Sequence, residues 1–324
     1  MLVMQKIEEI AYKSSGSTRT IGEFLITNHS RLQDFSMQQI ANETFTSKST
    51  LSRFAKSLGF DGWKSMMEQL LEESHFITIH HAATDANYPF SPGDTLNQIV
   101  PAIATLMTET ILETMDLLQY DQLEQAVDLI VHKKNLLILA QSPNFFEAQL
   151  FARKLLAIGH NVILPHFDTG LLVSSMNEDT VCIMISYSGN NPERFPVNKL
   201  DLLLEKHIPI IALTGLGDSI VRNKATVVLD IASRERLYSK IATYATEEPI
   251  AFLLNALFSG VFACSYQANL EHRILQGRRW EKRFTNYFDM REDQWSSHFI
   301  LFHPSAKSPP DSGTERSEIQ PEAF

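Results

Sequence analysis

Two stretches of this chain group residues that could act together chemically. The first, Ser186-Tyr187-Ser188-Gly189-Asn190-Asn191-Pro192-Glu193, directly follows the apolar run Thr180 to Ile185. Two hydroxyls around a glycine allow backbone and side chain to close on a phosphate. The asparagines add donors, and a proline suits the first position of a following helix. A plain polar turn capping a helix has the same composition. The second stretch runs from Ser47 to Leu58. Ser47, Lys48, Ser49, Thr50, Ser52, Arg53 and Lys56 form one face, opposite Leu51, Phe54, Ala55 and Leu58, which recur at intervals of three and four. Short hydroxyls let a helix approach phosphates and base edges, and the cations neutralise phosphate. A helical hairpin with a solvated polar face fits this pattern too.

Each stretch needs elements to position it. Before the polar helix, Ile40, Ala41 and Phe45 give a short helix an apolar face, Thr46-Ser47 ends it with Ser47 as the next N-cap, and Gly59 is the stop of the second helix. Two such helices bury too little alone, so flanking helices must cover them. Val3 to Tyr12, with Ile7 and Ile10, and Thr20 to Asn28, with Ile21, Phe24 and Leu25, have the spacing, punctuated by Ser14-Ser15-Gly16-Ser17. A further helix is expected from Lys64 to about Ser74, with Phe60 and Trp63 as core plugs rather than base-stacking groups. Thr78 to Asp94 has no periodicity and reads as a linker; its His80-His81 pair lacks partners at metal-ligand spacing. A helix follows, interrupted near Pro101 and continuing from Ile103 to Leu118, and Asp121 caps another carrying Leu123, Val127 and Ile130.

The serine loop belongs to a different pattern. Short apolar runs at 135–141, 160–165, 180–187, 207–214 and 225–232 alternate with helical segments, notably Phe145 to Ile158 and Pro192 to Glu205. Continuous apolar strands between helices imply a doubly wound parallel sheet, covered on both faces. Ligands of such sheets bind beyond the carboxyl ends of the strands, which is where the serine loop falls. Glu247 to Gln267 reads as a mostly apolar helix, packed in the core or at a subunit contact.

The run from Ser47 to Phe54, followed by Lys56-Ser57-Leu58-Gly59-Phe60-Asp61-Gly62-Trp63, resembles the recognition helix and following turn of the RpiR-type bacterial transcription regulators. That family joins an N-terminal helix-turn-helix domain to a C-terminal sugar isomerase (SIS) domain that binds phosphosugars. Ile185-Ser186-Tyr187-Ser188-Gly189 is similar to the Ser-x-Ser-Gly segment of SIS domains, so the resemblance implies effector contacts from Ser186, Tyr187, Ser188, Gly189 and Asn191. Ala140-Gln141-Ser142-Pro143-Asn144 stands where a glycine-rich loop ending in serine belongs; it keeps Ser142, lacks glycine, and loses an N–H at Pro143. Thr214-Gly215 and Ser219 form a third wall, while Arg236 and Ser239 match only loosely. The resemblance spans Met1 to Ala268.

The expected organisation is therefore an all-α helix-turn-helix domain (1–77), a linker and connecting helix (78–105), an α/β doubly wound SIS domain (106–270) and an extension (271–324). The expected partners are double-stranded operator DNA, a phosphosugar effector and further copies of the chain in a homodimer or homotetramer, with no cofactor, metal or catalytic residue. The competing class is a phosphosugar isomerase, whose proton-moving base would come from Glu235, Glu247 or Glu248. A third reading is a constitutive DNA binder with an empty pocket.

Composition narrows the classes. A formal net charge of -10 excludes a protein that coats nucleic acid nonspecifically, so DNA contact must be local and multiplied by oligomerisation. Between Met37 and Leu70, four basic residues face three acidic ones. Two cysteines, Cys182 and Cys264, lie in apolar stretches that read as core and suggest neither disulfides nor a metal, which fits a reducing cytoplasm. The N-terminus is not a signal peptide, and no run reaches the ~18 apolar residues of a membrane span. The segment 272–284 is basic and aromatic, reading as a charged helix with Trp280 and Phe284 buried; Pro304 to Phe324 reads as a disordered tail.

Overall fold

The structure, a computed structural model, describes residues 2–79, 84–165 and 169–278. His80-His81, Trp280, Phe284 and the segment Pro304 to Phe324 lie outside the described residues. The chain divides into two compact units, Met1–Arg273 and Ile274–Phe324, and only residues 274–278 of the second are described.

The first unit begins with a helical head of five α-helices: α1 (Val3–Lys13), α2 (Ser17–Thr27), α3 (Met37–Glu43), α4 (Lys48–Ser57) and α5 (Trp63–Ile79). A 3-10 turn, His29–Asp34, links the second to the third. Ile7, Ile21, Leu25, Ile40, Leu51, Phe54 and Trp63 close one core, with Phe60 packed at its edge. The crossing of α1 and α2 requires Gly22, since a Cβ there would stand 2.5 Å from the Cβ of Ala11. The periodicity of α5 fades after Ser74 while its backbone continues, so this helix outruns its expected end by five residues.

Next come α6 (Leu96–Leu117) and α7 (Tyr120–His132). Pro101 does not interrupt α6. It stands in the second turn, where the missing N–H removes one intrahelical hydrogen bond and the helix continues. Thus α6 runs unbroken through position 105. Asp121 is not the cap of α7; it lies in the first turn, where its charge meets the positive helix end, and Gln119 holds the cap position.

The five expected strands form one parallel sheet: β1 (Asn135–Ala140), β2 (Asn161–Ile163), β3 (Thr180–Ile185), β4 (Ile210–Gly215) and β5 (Val227–Ile231), in the order β2-β1-β3-β4-β5. Leu136, Ile138, Val181 and Ile183 point to one face, and Leu137, Leu139, Cys182 and Met184 to the other. Both faces are covered, the first by α7, α8 (Asn144–Leu156) and α12 (Tyr244–Cys264), the second by α9 (Thr169–Ser175), α10 (Leu200–Glu205) and α11 (Ile220–Lys224). By length and a hydropathy of 1.3, α12 alone among the described helices could cross a membrane. Here it is a core helix: Ile250, Leu253, Leu254, Leu257 and Val261 are buried in the cluster on the sheet. Cys182 is buried in β3, whereas Cys264 is exposed at the end of α12 and is not core.

One expected helix, Pro192 to Glu205, forms only at its far end, as α10. Residues 192–196 are not helical; a short 3-10 turn, Val197–Lys199, leads into α10. Pro192 and Pro196 each lack an amide proton, and the asparagines before them favour turns, so the chain cannot enter a helix directly from the serine loop.

Candidate DNA-reading helix and ligand crevice

In the head, α3 and α4 are both locally fixed. Ser36 and Gln39 form a capping box at the start of α3. Ser47 caps α4, its Oγ accepting from Thr50 N at 3.2 Å and lying 2.7 Å from Ser49 Oγ. The far end of α4 is closed by Phe60 N donating to Ala55 O and Gly59 N to Lys56 O, with Gly59 at φ 89°. This is a Schellman closure, and glycine meets its left-handed requirement. Lys48, Ser49, Arg53 and Lys56 are exposed, Thr50 and Ser52 half-buried, and none of the three cations forms an ion pair among the described residues. The side chains expected to meet DNA thus share one capped, outward helix face.

Phe45 departs from expectation. It is not on the apolar face of α3 but is 95% exposed, with φ 51°. The same closure operates: Thr46 N donates to Ala41 O and Phe45 N to Asn42 O, which puts Phe45 in the left-handed position normally held by glycine or asparagine. Its side chain is turned out of the domain. Phe45→Gly is expected to raise the head's stability by about 1 kcal/mol, because a bulky residue carries that penalty in left-handed backbone; chemical denaturation of both proteins checks it, and a lower midpoint for the glycine variant would contradict it.

In the α/β part, β1 connects to β2 on one side and the chain then returns to β3 on the other, so strand order reverses between β1 and β3. That reversal is where an open parallel sheet offers a ligand crevice. Ala140 pairs with Ile185, so the Ser142 and Ser186 loops leave adjacent strands at the same level. A cavity of about 470 Å³ opens beside Ser142, lined also by Gln141, Thr169, Phe195, Asn198 and Lys199. Lys199, absent from the sequence-based site, is half-buried there and unpaired among the described residues; no motif marks it, since its place depends on the irregular path after the serine loop.

The serine loop stands on the β4 side. Gly189, at φ 60°, packs so closely that an added Cβ would lie 2.8 Å from Ser219 Oγ and 3.0 Å from Thr214 Oγ1, making these residues its wall. Ser186 Oγ accepts from Gly189 N at 3.3 Å, and Asn191 Oδ1 from Glu193 N at 3.1 Å. Asn190 is spent on structure, accepting from Ile220 N at 2.9 Å. Ser188 is half-buried and its hydroxyl makes no hydrogen bond among the described residues, leaving it open to a ligand. Tyr187 points away from the others: its hydroxyl donates to Ser233 O at 2.8 Å and accepts from Gln5 Nε2 at 2.5 Å, and burial pushes its phenol well above the usual range.

Of the loosely matching pair, Arg236 and Ser239 face the head: Arg236 donates to His29 Nδ1 at 2.9 Å, and Ser239 Oγ donates to Glu8 at 2.5 Å. Burial first, and then the Arg236 charge, hold the His29 pKa below its ordinary value. Two of the three isomerase candidates, Glu235 and Glu247, are engaged in structural hydrogen bonds. Glu235 is fully buried and accepts from Lys240 Nζ at 2.8 Å, Thr246 Oγ1 at 2.7 Å and Ala245 N; Glu247 accepts from Thr243 Oγ1. Both Glu235 oxygens are committed, which removes it as a free base.

A helical head presenting one capped polar helix, joined to a doubly wound domain with serine loops at its strand-order reversal, defines a two-domain regulator class. Residues 1–75 match the helix-turn-helix domain of the rpiR family and residues 129–258 match the SIS domain. The chain belongs with the RpiR-type transcription regulators, an rpiR-family head followed by a SIS domain. It is 23% identical to an uncharacterized HTH-type transcriptional regulator of Clostridium perfringens, over 85% of this chain and 97% of that protein. Its fold is similar to that of the Vibrio vulnificus NanR protein complexed with ManNAc-6P, with a TM-score of 0.54 and 18% identity over 85% of this chain and 97% of the other.

Proposed function

We propose that this regulator reads a palindromic operator as a dimer through α4 and that a sugar phosphate, held at Ser142, Ser186 and Ser188, changes its operator affinity. The observation that carries this reading is the pairing, in one compact unit, of an outward helix with three unpaired cations and a crevice beside Ser142, whose loop leaves the strand next to that of the Ser186 loop. The head alone is weakly charged, so two copies are needed for useful phosphate contact. Phe146 and Leu150, one turn apart and exposed on α8, offer apolar surface for self-association. The commitment of Glu235 favours a binding protein over an isomerase, acting in the cytoplasm on genes of carbohydrate use.

NanR, which shares the fold, binds ManNAc-6P, so amino-sugar phosphates are the first ligands to test. Without a helix directly behind the serine loop, the phosphate is held on that side by hydroxyls and loop N–H groups, with Lys199 lining the crevice beside Ser142. In a thermal-shift screen of hexose and amino-sugar phosphates, wild type is expected to gain several degrees at about 100-fold the Kd, worth about 2.7 kcal/mol by linkage. Ser188→Ala is expected to lose that gain. Equal stabilisation of both proteins places the ligand elsewhere, and no stabilisation of either at millimolar concentration favours an empty pocket.

A further inference from the structure

On α1, Val3 and Ile7 fill the head's core, yet Gln5 and Glu8, one turn apart, are also buried, each 4% exposed. What covers these polar residues is a strap, residues 233–241, that follows β5. The Glu8 carboxylate accepts from the backbone N–H groups of Leu237 and Ser239 and from the Ser239 hydroxyl. Gln5 Nε2 donates to Glu235 O at 3.0 Å and to the Tyr187 hydroxyl at 2.5 Å. Tyr12 stacks on Tyr238 with ring centroids 4.6 Å apart. A helix of the DNA-reading head is thus hydrogen-bonded to the side chain that lies between the two serines of the ligand loop.

We propose that α1 is the transmission element between crevice and reading helix: Gln5 and Glu8 latch it to the rear of the Ser186–Gly189 loop, so that a ligand reshaping this loop repositions the head. The regulatory half of the latch rests on reading that loop as a ligand site. Motion of the loop cannot be absorbed locally. Gly215 leaves a slot for the Tyr187 ring, which lies 2.9 Å from where a Cβ would be, and Tyr187 O is held by Gly215 N at 2.9 Å and Thr214 Oγ1 at 3.3 Å. A ring wedged at one end and bonded at the other passes a displacement to Gln5, because packed interiors switch between arrangements rather than deform smoothly. Beyond Gln5, α1 is close-packed on α2 through Ala11 and Gly22, and α2 shares its core with α4 through Ile21 and Leu51.

The chemistry of the latch suits a reversible contact. Its bonds are made by an amide, a carboxylate, hydroxyls and backbone N–H groups, all of which water can satisfy when α1 lifts away, so neither arrangement leaves an orphaned polar group. His29 lies beside it, with Nδ1 2.9 Å from the Arg236 guanidinium and 3.2 Å from Ile26 O.

A double-variant cycle on full-length protein tests the latch without any ligand, using operator duplex selected from random DNA by wild type. Gln5→Leu and Tyr187→Phe, the latter losing one oxygen atom, are each expected to weaken operator binding about fivefold or more, the low end of coupling between sites. The double variant should weaken it no further than either single one. Full operator affinity in both singles, or losses that multiply in the double, would overturn the latch. A second arm adds glucosamine 6-phosphate: where it raises the melting temperature of wild type it should also shift operator affinity, and that shift should vanish in Gln5→Leu while the melting gain remains. A shift retained in Gln5→Leu overturns the latch; a sugar phosphate that stabilises neither protein counts against the ligand-site reading alone, leaving the ligand-free cycle to judge the latch.

Discussion

Arg53→Ala is expected to lower affinity for the selected operator about ten- to hundredfold and to relax preference at one base position, the usual consequence of losing a guanidinium that reads a base edge. Arg53 stands in the second turn of α4, exposed, with Thr50 Oγ1 at 3.3 Å as its tether and no carboxylate partner among the described residues. Its charge is therefore free for DNA. Lys56→Ala, on the same face, should weaken binding evenly across sequences and reduce the slope of log affinity against log salt by about one, as expected for one phosphate contact. Mobility-shift titrations at several salt concentrations separate the two outcomes. An operator affinity and salt slope unchanged in both variants would rule out α4 as the reading helix.

Gly189→Ala should abolish sugar-phosphate binding and lower the melting temperature. The backbone at φ 60° penalises any side chain, and the new methyl would meet Ser219 Oγ at 2.8 Å and Thr214 Oγ1 at 3.0 Å. Neither neighbour yields easily: Ser219 Oγ caps α11 by accepting from Arg222 N at 3.1 Å, and the buried Thr214 hydroxyl donates to Tyr187 O. Strain and overpacking together amount to about 2–3 kcal/mol, or roughly 4–12 °C for a domain of this size. Calorimetry with and without ligand measures both effects. Ser188→Ala is the useful contrast, since it should remove ligand binding with the melting temperature intact. A Gly189→Ala protein that melts and binds like wild type would show that the loop is not packed as described.

The interdomain latch gives these variants a shared readout. If α1 carries the signal, damage at Gly189 should reach operator affinity through Tyr187 and Gln5, even though no hydrogen bond or ion pair among the described residues joins the serine loop to α4. By reciprocity, operator DNA should shift sugar-phosphate affinity by the same factor that the sugar phosphate shifts operator affinity.

What the sequence by itself determined was local. The five apolar runs became five strands with ends displaced by a few residues, most closely for β1, β3 and β4, whose near-continuous burial within a parallel sheet demands an unbroken apolar run. Ser47 and Gly59 marked the ends of α4 because caps act through neighbouring backbone groups. The tertiary structure decided whatever depends on residues distant in the chain. The register Ala140↔Ile185 sets the Ser142 and serine loops side by side, and the path after the two prolines brings Lys199 to the crevice. Phe45 was misplaced because a three- or four-residue spacing cannot reveal that the helix has already closed one residue earlier. Gln5 and Glu8 look like ordinary polar positions on an amphipathic helix; only Tyr187, 182 residues away, and the strap, 229 to 231 residues away, give them partners, and no local pattern encodes contacts across such separations.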